Sequence, residues 1–134
     1  MTESELLDLT VLERKKYNYL NEALDLSQQM GEALDRADQV SIQLLLALRG
    51  EPILHLQEVD RLEKSRKSDF SQEDIQRLEE LCQGAAPQLR EEGLFAEQAG
   101  KTRRLLERVV ELDRRLSIRL GGKNSFYSKA ETKS

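Results

Sequence analysis

The sequence predicts an all-α protein, an elongated antiparallel bundle of long helices, some of them kinked. Three observations carry this expectation. Apolar residues make up 38% of the 134-residue chain and charged residues 34%, a balance suited to helices that each bury one stripe and solvate the rest. The apolar residues recur at spacings of three and four, not two. Two Pro and seven Gly supply few of the turns a sheet protein needs. Three long helices are expected within residues 1–120, or four if the third breaks, followed by a flexible tail over 121–134.

The first helix opens at Thr2, with Glu5 at the spacing of a capping box and Met1 and Leu6 placed as a hydrophobic staple. Leu6, Leu9, Leu12, Leu20, Ala23, Leu24 and Met30 share one broad face. Leu7 and Val11 fall on the other side and hint at a second contact surface. Gly31 weakens the helix, and the stretch ALDRADQV reads as a turn in which Asp35 or Asp38 caps the next helix.

The second helix is expected from about Asp38 to Lys64. Pro52 removes a backbone donor and disfavours helical geometry at Glu51. Even so, Leu45, Leu48, Pro52, Leu56, Val59 and Leu62 hold helical spacing through it, so one kinked helix is read.

Ser71 is the next N-cap, with Asp74 at N3 and with Phe70 and Ile75 at staple positions. Beyond it Ile75, Leu78, Cys82, Ala85 and Leu89 stay in phase across Gly84 and Pro87. A kink is therefore expected there; the alternative is a break with Pro87 as the first residue of a fourth helix. The last helix carries the strongest stripe: Phe95, Ala99, Thr102, Leu105, Val109, Leu112, Leu116 and Leu120. Its first part, with Gly93, Ala96, Ala99 and Gly100, is thin and suits close backbone approach or a shallow groove. Gly121 and Gly122 end it.

Several classes of function are set aside. One Cys allows no internal disulfide, which fits a reducing compartment. The acidic start MTESELLDLT has no signal-peptide pattern. The longest apolar run, LLLAL, is far short of a bilayer span. A cytoplasmic protein without stable membrane insertion is expected. Carboxylates are dense, as on solvated helix faces. A two-metal bundle site needs two Glu-x-x-His pairs, whereas His55 is the single histidine and Pro52 stands three residues before it. No metal, cofactor or catalytic residue is expected. Cys82 reads as a small buried hydrophobe, and His55 as a residue at the edge of its stripe. The GGK at 121–123 lacks the first Gly of a phosphate loop and a preceding strand.

Charge is asymmetric. Residues 1–100 carry 11 Lys/Arg against 21 Asp/Glu, and residues 101–134 carry 10 against 4. The basic residues of the last helix alternate with Glu107, Glu111 and Asp113 at pairing distances. Nucleic-acid binding is therefore not expected.

The stretch EALDRADQVSIQLLLALRGEPILHLQEVDRL, with Arg49, Ile53 and Leu56, resembles the first helical hairpin of the flagellar export chaperones of the FlgN and FliT type. LLERVVELDRRLSIRL resembles their last long helix, and NSFYSK their tyrosine-containing tail. The resemblance implies a small cytoplasmic, non-enzymatic chaperone. It would hold a filament-cap or hook-junction subunit, prevent its premature assembly and deliver it to the export apparatus. The expected mechanism lays an amphipathic client helix into an apolar groove between bundle helices. Leu105, Val109, Leu112 and Leu116 are the expected lining, or else simply bundle core, with Phe126 and Tyr127 as a detachable anchor beyond the Gly121–Gly122 hinge. A homodimer is compatible with this reading. The alternative is a helical scaffolding protein that self-associates and holds no client.

Overall fold

A computed structural model describes residues 1–121 as four α-helices: α1 (Glu3–Asp35), α2 (Gln39–Lys67), α3 (Gln72–Cys82) and α4 (Arg90–Arg119). No strand occurs among the described residues. Phe126, Tyr127 and nearly all of the expected tail lie outside the described residues.

Local chemistry sets the helix ends. The Thr2 side chain accepts from the Glu5 N–H while the Glu5 carboxylate accepts from the Thr2 N–H, closing the capping box. α1 continues through Gly31 and ends four residues later, at Asp35. The Ala37 N–H donates to Leu34 O and the Asp38 N–H to Ala33 O, the paired bonds of a Schellman turn. Ala37 holds φ +54° to make them. Asp38 then caps α2 by accepting from the Ser41 N–H at 3.1 Å. α2 is unbroken across Pro52, whose ring is buried, and ends three residues later than expected.

The connection after α3 corrects the expected kink. Gly84 takes φ +101° and its N–H donates to Leu81 O, while the Ala85 N–H donates to Glu80 O. This second Schellman turn ends the helix, and residues 83–89 lie outside any helix. Pro87 is not the first residue of α4 either: the helix starts at Arg90, and Leu89, expected on the apolar stripe, is exposed. The capping carboxylate is Glu92, in the first turn of α4 itself, and α3 holds it in place. Glu92 takes a bidentate hydrogen bond from Arg77 of α3, at 2.9 and 2.8 Å, and also accepts from the Gln88 N–H at 2.8 Å.

α1 is the central rod, packed against both α2 and α4, with α3 laid on α4 at one end. At 33 residues it is about 50 Å long. Three apolar clusters follow one another along it. Leu6, Leu9 and Leu12 meet Val59, Leu78, Leu81, Phe95 and Ala99. Leu20, Ala23 and Leu24 meet Leu105 and Val109. Met30 and Ala33 meet Ile42, Leu45 and Leu116. α2 is thus antiparallel to α1, and α4 returns parallel to it. Polar side chains lie along the same core, with Glu13, Glu63, Thr102, Arg49 and Asp113 buried, Lys16 half-buried and Asp60 exposed. Lys16 lies within 4 Å of Glu13, Asp60 and Glu63, and Thr102 Oγ1 donates to Glu13 O at 3.1 Å. Further along, Arg49 bonds Asp113 at 2.9 Å and Met30 Sδ at 3.3 Å.

Candidate functional site

The α4 leucines expected to line a groove are used elsewhere. Leu105, Val109 and Leu116 are sealed in the second and third clusters. The reason is positional: α1 lies along that stripe and each of the three residues meets it. Leu112 is half-buried and reaches a shallow surface depression of about 400 Å³ that it shares with Leu24, Arg104, Arg108 and Arg115. That depression is mostly charged. Phe126 and Tyr127 cannot be placed against any of this, because they lie outside the described residues.

An open apolar groove lies instead on the outer side of the α1–α4 pair, near their N-terminal ends. Leu7, Thr10, Val11 and Arg14 recur at three and four on α1, on the side away from the core-facing Leu6, Leu9 and Leu12. On α4 the matching series is Leu94, Glu97, Gln98 and Lys101. Because the two helices run parallel, the two rows border one groove of about 430 Å³. Its floor is apolar, with Leu7 43%, Val11 53% and Leu94 41% exposed. Its rim is charged: Lys101 lies 3.5 Å from Glu97, and Arg14 makes no ion pair among the described residues. Thr10 is held in the helix by donating to Leu6 O at 2.8 Å.

Sequence reasoning identified half of this site. Leu7 and Val11 stood out because they break the phase of the α1 core stripe. Leu94 gave no such signal, since it is a lone leucine among Gly, Ala and Glu. Of the small residues at the start of α4, Ala96 and Ala99 pack in the first apolar cluster, and none of Gly93, Ala96, Ala99 and Gly100 lines the groove.

The groove holds no arrangement for chemistry. Among the described residues no group of three or more His, Cys, Asp or Glu is placed to hold a metal ion. Cys82 is half-buried, and burial pushes its thiol pKa up, away from the thiolate a nucleophile needs. His55 stacks on Tyr19 with ring centroids 4.7 Å apart and lies beside Glu51 and Glu58. No described helix is long and apolar enough to cross a membrane. Comparison of the chain with protein-family models, curated proteins and solved structures finds no match.

Proposed function

We propose that this chain is a non-enzymatic holding chaperone of the flagellar export type, acting in the cytoplasm. In this reading it binds a filament-cap or hook-junction subunit before export, keeps it from assembling early and hands it to the export apparatus. The client's terminal helix lies along α1 and α4 over Leu7, Val11 and Leu94. Affinity stays moderate because ordering the client segment consumes part of the binding free energy.

The observation that supports this reading most is the groove itself. A groove two helical turns long, with an apolar floor of Leu7, Val11 and Leu94 about one turn in length and a charged rim, suits an amphipathic helix that inserts apolar side chains at i and i+3 or i+4. The resemblance of α1, α2 and α4 to the chaperone helices supplies the kind of client.

Titration calorimetry with the C-terminal segments of filament-cap and hook-junction subunits tests the reading. One of them is expected to bind with Kd on the order of 1 µM. Leu7→Glu with Val11→Glu should weaken that binding at least about tenfold, because a carboxylate placed in an apolar contact loses hydration without gaining a partner. Helicity should be unchanged, since both side chains are exposed. Failure of every such segment to bind would overturn the client. Binding that survives the double substitution would overturn only the groove.

A further inference from the structure

The groove of Leu7, Val11 and Leu94 is one end of a longer seam between α1 and α4. Arg14 and Lys101 stand at its far end, and the second depression begins three residues later on α4, at Arg104. Leu7, Arg14 and Gln28 of α1 are separated by multiples of seven, as are Leu94, Lys101, Arg108 and Arg115 of α4. Residues seven apart lie within about 20° of one another on a helix, so the two depressions share one side of the helix pair. Leu7 to Gln28 and Leu94 to Arg115 are the same 21 residues apart, about 32 Å.

The chemistry changes along this length. The end near Leu7 is apolar. In the second depression α1 offers only Leu24 and Gln28, while α4 offers Arg104, Arg108 and Arg115. Two of the carboxylates on the seam are already engaged, Glu97 by Lys101 at 3.5 Å and Glu111 by Arg115 at 3.3 Å. Among the described residues Arg14, Arg104 and Arg108 make no ion pair, against Glu107 alone of the seam's carboxylates. We infer that the occupant of the whole seam is an amphipathic helix with apolar anchors at one end and acidic side chains on the same face at the other. Its apolar end lies over Leu7, Val11 and Leu94, and its carboxylates, two or more turns away, lie over Arg104 and Arg108. This deepens the reading of the groove as a client site and rests on it. Charge matching of this kind selects the partner and fixes its direction more than it adds affinity, because a segment laid in reverse would set its carboxylates on Leu7 and Val11. A nucleic acid is the poorer occupant, since Glu97, Glu107 and Glu111 interrupt the cations and would repel phosphate.

Fluorescence anisotropy of the full chain with two labelled helical peptides of about 22 residues tests this. Both carry a pair of leucines four residues apart near one end. On the same face at the other end, one peptide carries glutamates and the second carries glutamines. The acidic peptide is expected to bind about tenfold tighter at about 50 mM salt, the difference shrinking to about twofold at about 500 mM. Arg104→Gln with Arg108→Gln should remove most of that preference by weakening the acidic peptide alone, at unchanged helicity, since both side chains are exposed. Leu7→Glu with Val11→Glu should weaken both peptides. Equal binding of the two peptides, or a preference that survives the arginine substitutions, overturns the inference and leaves the groove standing. Binding of neither peptide overturns the groove and the inference together. A single-stranded oligonucleotide that displaces the acidic peptide at lower concentration than the unlabelled peptide does would overturn the inference as well, and give the seam to a nucleic acid.

Discussion

Arg49 of α2 and Asp113 of α4 meet at 2.9 Å with both side chains only 2% exposed. The guanidinium also reaches Met30 Sδ of α1, so one arginine ties together all three long helices. Burial lowers the Arg49 pKa, with Asp113 acting in the opposite direction. A buried pair of this kind adds little stability of its own, because desolvating two charges offsets most of their attraction. Its effect is on register: α2 and α4 cannot slide past one another without separating the two charges.

Removing one member should therefore cost much more than removing both. Asp113→Ala leaves a buried guanidinium without its carboxylate, and a loss of roughly 3–5 kcal/mol is expected in urea unfolding. Arg49→Met with Asp113→Leu should unfold at least as late as the parent. The double variant is expected to show its deficit in uniqueness instead, as broadened amide resonances along α2 and α4. A strictly additive pair of losses would refute the coupling.

A second expectation concerns the α1–α2 turn. Ala37 sits at φ +54°, in the left-handed region that costs a residue with a Cβ about 1–2 kcal/mol. Glycine is the residue that Schellman turns ordinarily place there. Part of the gain is lost to the greater freedom of glycine in the unfolded chain. Ala37→Gly should thus raise stability by about 0.5–1 kcal/mol, read as a higher thermal midpoint with an unchanged denaturant m-value. A lower midpoint would mean that the alanine methyl makes a compensating contact.

These contrasts show which features the sequence made legible. Helix starts were readable because caps are local: Thr2 with Glu5, Asp38 with Ser41, and Ser71 with Asp74 all act within three residues. The break between α3 and α4 was hidden by geometry. The seven residues 83–89 would advance an ideal helix by about 700°, within roughly 20° of two full turns. The apolar phase therefore survives the loop unchanged, and periodicity alone reads it as helix. The signals that mark the break are Gly84, in its left-handed turn, and the distant Arg77–Glu92 clamp. For the site the difficulty was of another kind. Leu105, Val109 and Leu116 would carry the same stripe whether they faced a guest or α1, and only the placement of α1 decides. Arg49 and Asp113 were opaque for the opposite reason, since charged residues at core-facing positions look like interruptions until their partner is known.

Acid should test the α3–α4 clamp. The Arg77 guanidinium, with the Gln88 N–H, holds the Glu92 carboxyl down at about 2, well below its ordinary 4.5. The folded chain therefore binds this proton more weakly than the unfolded chain. The clamp's contribution is fully present above about pH 4.5 and is lost as the pH falls towards 2. A shift of that size corresponds to roughly 3 kcal/mol. Glu92→Gln should lose most of this at neutral pH, and its stability should vary less than the parent's between pH 4.5 and 2. If both chains lose stability in parallel over that interval, another carboxylate controls the acid limb.

The cluster around Lys16 predicts the opposite sign. Burial raises the Glu13 pKa, with Glu63 adding to the rise and Lys16 opposing it. Lys16 is 3.0 Å from Glu63 and 3.6 Å from both Glu13 and Asp60, so one cation serves three carboxylates in a mostly buried place. Ionising Glu13 is thus less favourable in the folded chain than in the unfolded one. Its protonation favours folding below the ordinary value of 4.5, and that contribution is lost as the pH rises through the elevated folded value. Glu13→Gln keeps the shape, removes the surplus negative charge and leaves Lys16 with Glu63 and Asp60. At pH 7 the variant should be more stable than the parent by about 1 kcal/mol, and the advantage should vanish below about pH 4. A loss of stability at pH 7 would mean that the Glu13–Lys16 attraction outweighs burial, and the carboxylate would then be part of what holds α1 against α2.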